Sequence, residues 1–367
     1  MFKLSAYRYP TFSAALAIVS ILIFLATLSD AAPFALAQIP SVPKGQPTEA
    51  PGQKPGDAQK PEEDQTPTET LKVSVNVVGL FFNVKDKHGT LMPNLTKDDF
   101  TVLEDGKQQT IKYFAAESNL PLTLGILIDS SGSQRNVLDM EKEVGGAFLR
   151  QILTDKDEAY VIDFNVDASL IQDYTRDVSR LRAAMNKVKI NTGVSGMGGG
   201  PVPTTRQAGT VLYDAVYLSA HDMLAKEVGR KAMILLTDGE DEGSQLKIKD
   251  AIEASLKADA IVYVLLCADR GFYGSFGMGG YSGEAEMRKL TEATGGRVIN
   301  VGNKLDKLKE AFDQIAAELR SQYNLGYTST NPKLDDTYRK LEIKSKENYK
   351  VQCRAGYYAT ARQPLPQ

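Results

Sequence analysis

Three apolar runs constrain this chain more than any other feature: Leu122 to Ile128, Ala232 to Leu236 and Ile261 to Leu266. Each is the length of a strand and apolar on both of its faces, so each needs cover from above and below, as in a parallel sheet wrapped by helices. Further strands are expected at Ala159 to Phe164, Ala168 to Ile171 and Arg297 to Asn300. The cover is expected from helices at Leu138 to Leu153, Val178 to Lys189, Val211 to Ala225, Ile248 to Lys257, Glu284 to Ala293 and Leu305 to Leu319. Their apolar residues recur every three or four positions, as in Leu305, Leu308, Ala311, Phe312 and Ile315. Strands alternating with helices predict a doubly wound α/β domain with a mostly parallel sheet, over residues 118–321.

On either side of it the period changes from helical to two. Leu71, Val73, Val75 and Val77 alternate with polar residues and lead into an apolar stretch that ends at Val84. Phe100 to Glu104 and Gln108 to Phe114 flank Asp105-Gly106, a dipeptide suited to a tight hairpin. Beyond the α/β region, Tyr323 to Tyr327, Leu341 to Ile343 and Val351 to Cys353 alternate in the same way. Neither block has enough strands to bury two sheets alone, so residues 71–117 and 322–360 are expected to form one small β-sandwich, with the α/β domain inserted between them. A short tail, 361–367, follows.

The N-terminus predicts export. Lys3 and Arg8 precede an uncharged run from Thr11 to Leu28, and Ala35-Leu36-Ala37 offers a cleavage point before Gln38. Residues 1–37 therefore read as a signal peptide or, if uncleaved, a membrane anchor. The Pro-rich stretch 38–70 cannot bury enough apolar surface to offset its chain entropy and reads as a disordered tether. The destination is outside the cytoplasm: periplasmic, membrane-anchored or secreted. A net charge of −3, from 43 basic and 46 acidic residues, gives no field to gather phosphate backbones and argues against nucleic acid. Two histidines, His88 and His221, leave little for a zinc site or a His-based triad. The two cysteines, Cys267 and Cys353, are expected as buried free thiols, although an oxidising compartment would permit a bond.

Ligands of doubly wound sheets sit at the carboxyl ends of the strands. There the chain places Asp129-Ser130-Ser131-Gly132-Ser133, Thr237-Asp238-Gly239-Glu240 and Cys267-Ala268-Asp269-Arg270, with Thr204 to Thr210 just before a helix. Asp129, Ser131 and Ser133 alternate towards a common point and offer only oxygen, which suits a hard cation: Mg²⁺ first, with Mn²⁺ or Ca²⁺ as alternatives. Two carboxylates among five donors would leave such an ion able to accept an acidic side chain from a partner. Ser and Asp after a strand also cap helices with no metal involved. Glu240 to Glu242 could widen the acidic site or form a solvated loop, and Asp214 is expected to partner the dipole of its own helix.

The run Ile126 to Ser133 resembles the DxSxS core of the metal-ion-dependent adhesion site in von Willebrand factor A domains. Gly209-Thr210 looks like the threonine loop of that family, and Leu235 to Gly239 like its aspartate loop. The resemblance covers about residues 118–320. It implies direct contact of Ser131, Ser133 and Thr210 with the ion, and partly water-mediated contact of Asp129 and Asp238. Asn94 to Gly106 and Arg354 to Tyr358 resemble a group of exported bacterial proteins related to this domain.

The resemblance implies a non-enzymatic binding or adhesion module whose cation is completed by an acidic side chain of a protein or peptide. Two glycine-rich stretches, Gly193 to Gly200 and Gly271 to Gly283, match no phosphate-binding loop. The second carries Phe272, Tyr273, Phe276 and Tyr281 and, with Glu240, is a candidate ligand-binding surface or an insertion without consequence. Two other readings remain: a metal-independent structural scaffold, and a Mg²⁺-dependent phosphoryl hydrolase. The hydrolase lacks a positioned His, Lys or Arg to stabilise a transferring phosphoryl group.

Overall fold

The computed structural model describes residues 77–116, 120–191, 209–267 and 283–360. The expected leader, the Pro-rich tether, the start of the first alternating segment, the tail, both glycine-rich stretches and Phe272, Tyr273, Phe276 and Tyr281 lie outside the described residues.

A six-stranded sheet forms the centre of the α/β part. Its strands are β5 (Leu122–Asp129), β6 (Glu158–Phe164), β7 (Ala168–Thr175), β8 (Arg230–Thr237), β9 (Ala260–Leu266) and β10 (Val298–Asn300). They lie in the order β10-β9-β8-β5-β6-β7. All neighbours are parallel except β6 and β7. Strand β5 is buried at all eight positions, which explains its unbroken apolar sequence. Leu122, Leu124, Ile126 and Ile128 face a core shared with helices α1 (Leu138–Ile152), α2 (Val178–Met185) and α6 (Leu305–Arg320). Leu127 faces the other core, with α3 (Leu212–Tyr217), α4 (Ile248–Ala258) and α5 (Gly283–Thr294).

The chain winds outward from β5 in both directions, so the crevice at the carboxyl ends of β5 and β8 is a topological switch point. No helix among the described residues is long and apolar enough to cross a membrane.

The flanking segments build the expected sandwich. One sheet has the order β13-β1-β11-β4 and the other β14-β12-β2-β3. Before the α/β part lie β1 (Val77–Lys85), β2 (Phe100–Glu104), β3 (Lys107–Gln109) and β4 (Ile111–Ala115). After it lie β11 (Tyr323–Thr328), β12 (Tyr338–Ser345), β13 (Lys350–Gln352) and β14 (Gly356–Tyr358). Leu80, Phe82, Val102, Tyr323, Leu325 and Leu341 meet in its core.

Three details differ from expectation. Gln108 to Phe114 is two strands, because the chain changes sheets at Thr110: β3 pairs with β2 and β4 with β11. A corner of this kind leaves the period-two pattern intact and is invisible to it. The helix expected over Val211 to Ala225 continues from α3 as a π-helical turn, Leu218–Leu224. There Ser219 is buried and its Oγ meets Tyr160 Oη at 2.6 Å. Strand β7 runs four residues further than expected. It is an edge strand whose outer residues are half-exposed or exposed and polar, so only hydrogen bonding marks its end.

Candidate functional site

The three loops expected to act together do meet. Asp129 closes β5 with no exposure to solvent, and Asp238 follows β8 at 2% exposure. Ser131 N–H donates to Asp129 Oδ1 at 2.9 Å, and Thr237 Oγ1 donates to Oδ2 at 2.7 Å. Thr237 Oγ1 also accepts from Gly239 N–H at 2.9 Å, so one hydroxyl fixes both the first carboxylate and the turn that carries the second. Glu240, half-buried, donates its N–H to Asp238 Oδ1 at 3.1 Å. Burial, and then the charge of Asp238, push the Asp129 carboxyl up to about 7. Both acids sit where water cannot stabilise two negative charges side by side.

The hydroxyls of Ser131 and Ser133 lie beside this pair, half-buried, with their oxygens 2.9 Å apart. The two hydroxyls are hydrogen-bonded to each other, and their separation equals the roughly 2.9 Å between adjacent corners of an octahedron with metal–oxygen bonds of about 2.0–2.1 Å, so the spacing is compatible with Mg²⁺ coordination. Among the described residues no three His, Cys, Asp or Glu side chains converge as a cation cage. An ion at this point would therefore depend on hydroxyls as well as the two Asp carboxylates. The oxygen-only chemistry of Asp129, Ser131, Ser133 and Asp238, and the spacing of the two serine hydroxyls, are those a small hard cation would need; Thr210 would be the fifth donor.

Thr210 arrives from the side. Its carbonyl accepts from Glu242 N–H and Gly243 N–H at 3.1 and 3.0 Å, which ties the threonine loop to the aspartate loop. The crossing is too close for side chains. A Cβ on Gly209 would lie 2.8 Å from the Glu242 carbonyl carbon, and one on Gly243 would lie 2.5 Å from Gly209 O. Asp214 lies in the first turn of its own helix, as expected for a dipole partner, and also reaches the aspartate loop. Its carboxylate accepts from Gln245 N–H and Leu246 N–H at 3.0 and 2.9 Å and so anchors the far end of the aspartate loop. Asp241 accepts from Tyr213 N–H at 3.1 Å and from Ser244 Oγ at 2.5 Å, so it braces the loop.

Sequence reasoning missed four supporting residues. Asn165 Nδ2 donates to Ser130 Oγ at 2.8 Å, and Asn191 N–H donates to Ser130 O at 2.9 Å, pinning the loop between Asp129 and Ser131. Asn165 follows β6, and the strand-end rule that found the other loops would have found it too. Glu141 and Gln134 are fully buried. Burial pushes the Glu141 carboxyl up to about 8, the charges of Asp129 and Asp238 add to the rise, and neither of its oxygens has a hydrogen-bond partner among the described residues. No sequence pattern signals an acid on the buried face of α1. Cys267 and Cys353 are both free thiols, the first buried and the second half-buried, and both histidines are exposed.

No family model and no curated protein matches the chain. Solved structures do resemble it. BatB from Bacteroides thetaiotaomicron, a conserved hypothetical protein, aligns at 17% identity and TM-score 0.40, over 55% of this chain and all of its own. Proximal thread matrix protein 1 of the mussel byssus, solved with a zinc-occupied metal-ion-dependent adhesion motif, aligns at 14% identity and TM-score 0.43. That match covers 57% of this chain and 48% of the mussel protein. An aerotolerance-related membrane protein from Bacteroides fragilis aligns at 19% identity and TM-score 0.39, over 54% of this chain and 98% of its own. The sheet order and the two helical layers described above carry the fold assignment independently of these likenesses.

Proposed function

We propose that this chain is an exported binding module of the von Willebrand factor A type, which engages a protein ligand through a divalent cation. The observation that carries this reading is the pair of hydroxyls of Ser131 and Ser133, 2.9 Å apart, beside two desolvated carboxylates. A bound cation would neutralise Asp129 and Asp238 and leave coordination positions for water or for an acidic side chain of the partner. The residues of this chain bind and orient. Asp129 and Asp238 supply charge, Ser131, Ser133 and Thr210 supply neutral oxygens, and Thr237 and Asn165 hold the loops.

Binding, rather than turnover, is the reading supported by a donor set rich in neutral oxygens. Export rests on Lys3, Arg8 and the apolar run to Leu28. The solved neighbours, a membrane protein and a byssal matrix protein among them, are in keeping with that location.

The test is a titration of Mg²⁺ and of Mn²⁺ into chelator-stripped protein, by calorimetry and by thermal melting, with Asp129→Ala in parallel. We expect a saturable isotherm and a rise in Tm in the wild type, both lost in the variant. Identical responses would instead favour the scaffold reading.

A further inference from the structure

A groove of about 970 Å³ lies between the sandwich and the α/β part, lined by β1, β13, α5 and α6. It includes the start of β10 and the last turns of α6, whereas the candidate cation loops follow the ends of the parallel strands β5 and β8. The two features are therefore at opposite ends of the sheet. Lys85, Lys87 and Lys350 line the sandwich wall, and Arg288, paired with Glu284, and Arg297 the other; Lys85 and Arg297 share the single carboxylate of Glu318 and so leave an excess of positive charge.

The negative groups there are already committed or peripheral. Glu318 receives Lys85 and Arg297, each at 2.8 Å. The Asp86 carboxylate is folded into its own turn, accepting from His88 N–H and Thr90 N–H at 2.8 Å each. Glu292 is exposed. Lys87 and Lys350 are exposed and have no carboxylate within ion-pair distance among the described residues. Gln314 and Gln352 add neutral amides along the groove.

We propose that this groove is a second recognition site, taking an extended acidic peptide segment of a partner protein. The volume far exceeds one small anion, and the cations are spread over two walls instead of converging on one point. An extended chain with successive carboxylates can meet both walls, with its backbone on the side-chain amides between them. A chain held at both ends in this way would connect a cation-bound ligand to a second partner, or one long partner to itself.

The probe is a fluorescein-labelled hexaglutamate peptide, titrated against the full chain and followed by anisotropy, with Lys87→Glu combined with Lys350→Glu as the test variant. We expect saturable binding that falls about tenfold or more in the double variant and weakens with added salt. The titration is run in excess chelator, so that the cation site, which also takes carboxylates, cannot hold the probe; binding should then be unchanged by Asp129→Ala, which separates this site from the cation site. Thermal melting of the double variant, expected to match wild type because both lysines are exposed, controls for folding. Absence of saturable binding in chelator, or equal binding by the double variant, would each overturn the proposal. So would displacement of the peptide by inorganic phosphate at equal concentration, which would indicate a single-anion site.

Discussion

Thr237 shows how much one hydroxyl can organise. It donates to Asp129 Oδ2 and accepts from Gly239 N–H, and both contacts are buried. Thr237→Val keeps the shape and removes the bridge. The expected result is a cation affinity lower by about 10–100-fold, as for other groups that orient metal ligands, with a stability loss of about 1–3 kcal/mol for the unsatisfied partners; calorimetry and melting read the two effects separately. In the sandwich, Glu104 holds a comparable position with a different consequence. Burial alone would raise its carboxyl, but Ser329, Tyr327 and Tyr357 donate hydroxyls at 2.5, 2.6 and 2.9 Å, and with Arg339 they hold it below its ordinary value of 4.5. A carboxyl lowered in the folded state contributes stability that is present above the unfolded value and is lost as pH falls through the folded one. Stability of the wild type should therefore drop below about pH 4.5, and Glu104→Gln should be less stable at neutral pH with a flatter acid limb. A denaturation series between pH 3 and 7 would show whether the two limbs differ; parallel limbs would remove Glu104 from the account.

The elements that carry the site are short loops made possible by long regular neighbours, and this division decides what the sequence could reveal. The strands β5, β8 and β9 were legible because burial on both faces leaves an unbroken apolar run, and the meeting of the loops after β5 and β8 was legible because ligands of such sheets sit at strand ends. The last four residues of the edge strand β7, the sheet change at Thr110 and the π-helical turn after α3 were not, since each is fixed by hydrogen bonding that leaves residue periodicity unchanged. Glu141 was hidden for a different reason: a charged residue in an amphipathic helix reads as solvent-facing, yet here it is fully buried. The meeting of the threonine and aspartate loops was foreseeable from the motif, but not the reason for it, which is the crossing of Gly209 and Gly243 without side chains. Gly243→Ala should push the loops apart, because its Cβ would lie 2.5 Å from Gly209 O. Since both cores lie away from this contact, the expected outcome is a protein with a near-normal melting profile and weakened cation binding. A variant that bound Mg²⁺ as wild type does would show that the crossing is not needed to place Thr210.

At the scale of the molecule, the question is whether the sandwich is a passive attachment or part of one cooperative unit. The sandwich takes strands from both ends of the described chain: β1 pairs with β11 and β13, and β2 with β12. The inserted α/β part therefore leaves and re-enters it, and α6 runs directly into β11. At that junction the Glu318 side chain, 2% exposed, receives Lys85 from β1, Arg297 from the start of β10 and Gln352 from β13, while its carbonyl accepts from Asn83 Nδ2 at 2.7 Å. One carboxylate thus joins two strands of the sandwich to the helix and sheet of the α/β part. Removing it leaves cations and amides facing a buried gap, a change that costs up to about 3–5 kcal/mol for a fully buried pair. The loss here should be smaller, because the Arg297 side chain is 28% exposed and water screens it. Glu318→Ala should accordingly lower Tm and, if this junction carries the coupling, split a single calorimetric transition into two. Glu318→Gln keeps an acceptor oxygen for Lys85 and Arg297 but loses the one that Gln352 uses, and should fall between. A wild type that already unfolds in two steps would place the two parts in separate cooperative units, each with its own hydrophobic core and with the anionic-peptide groove between them as a flexible seam.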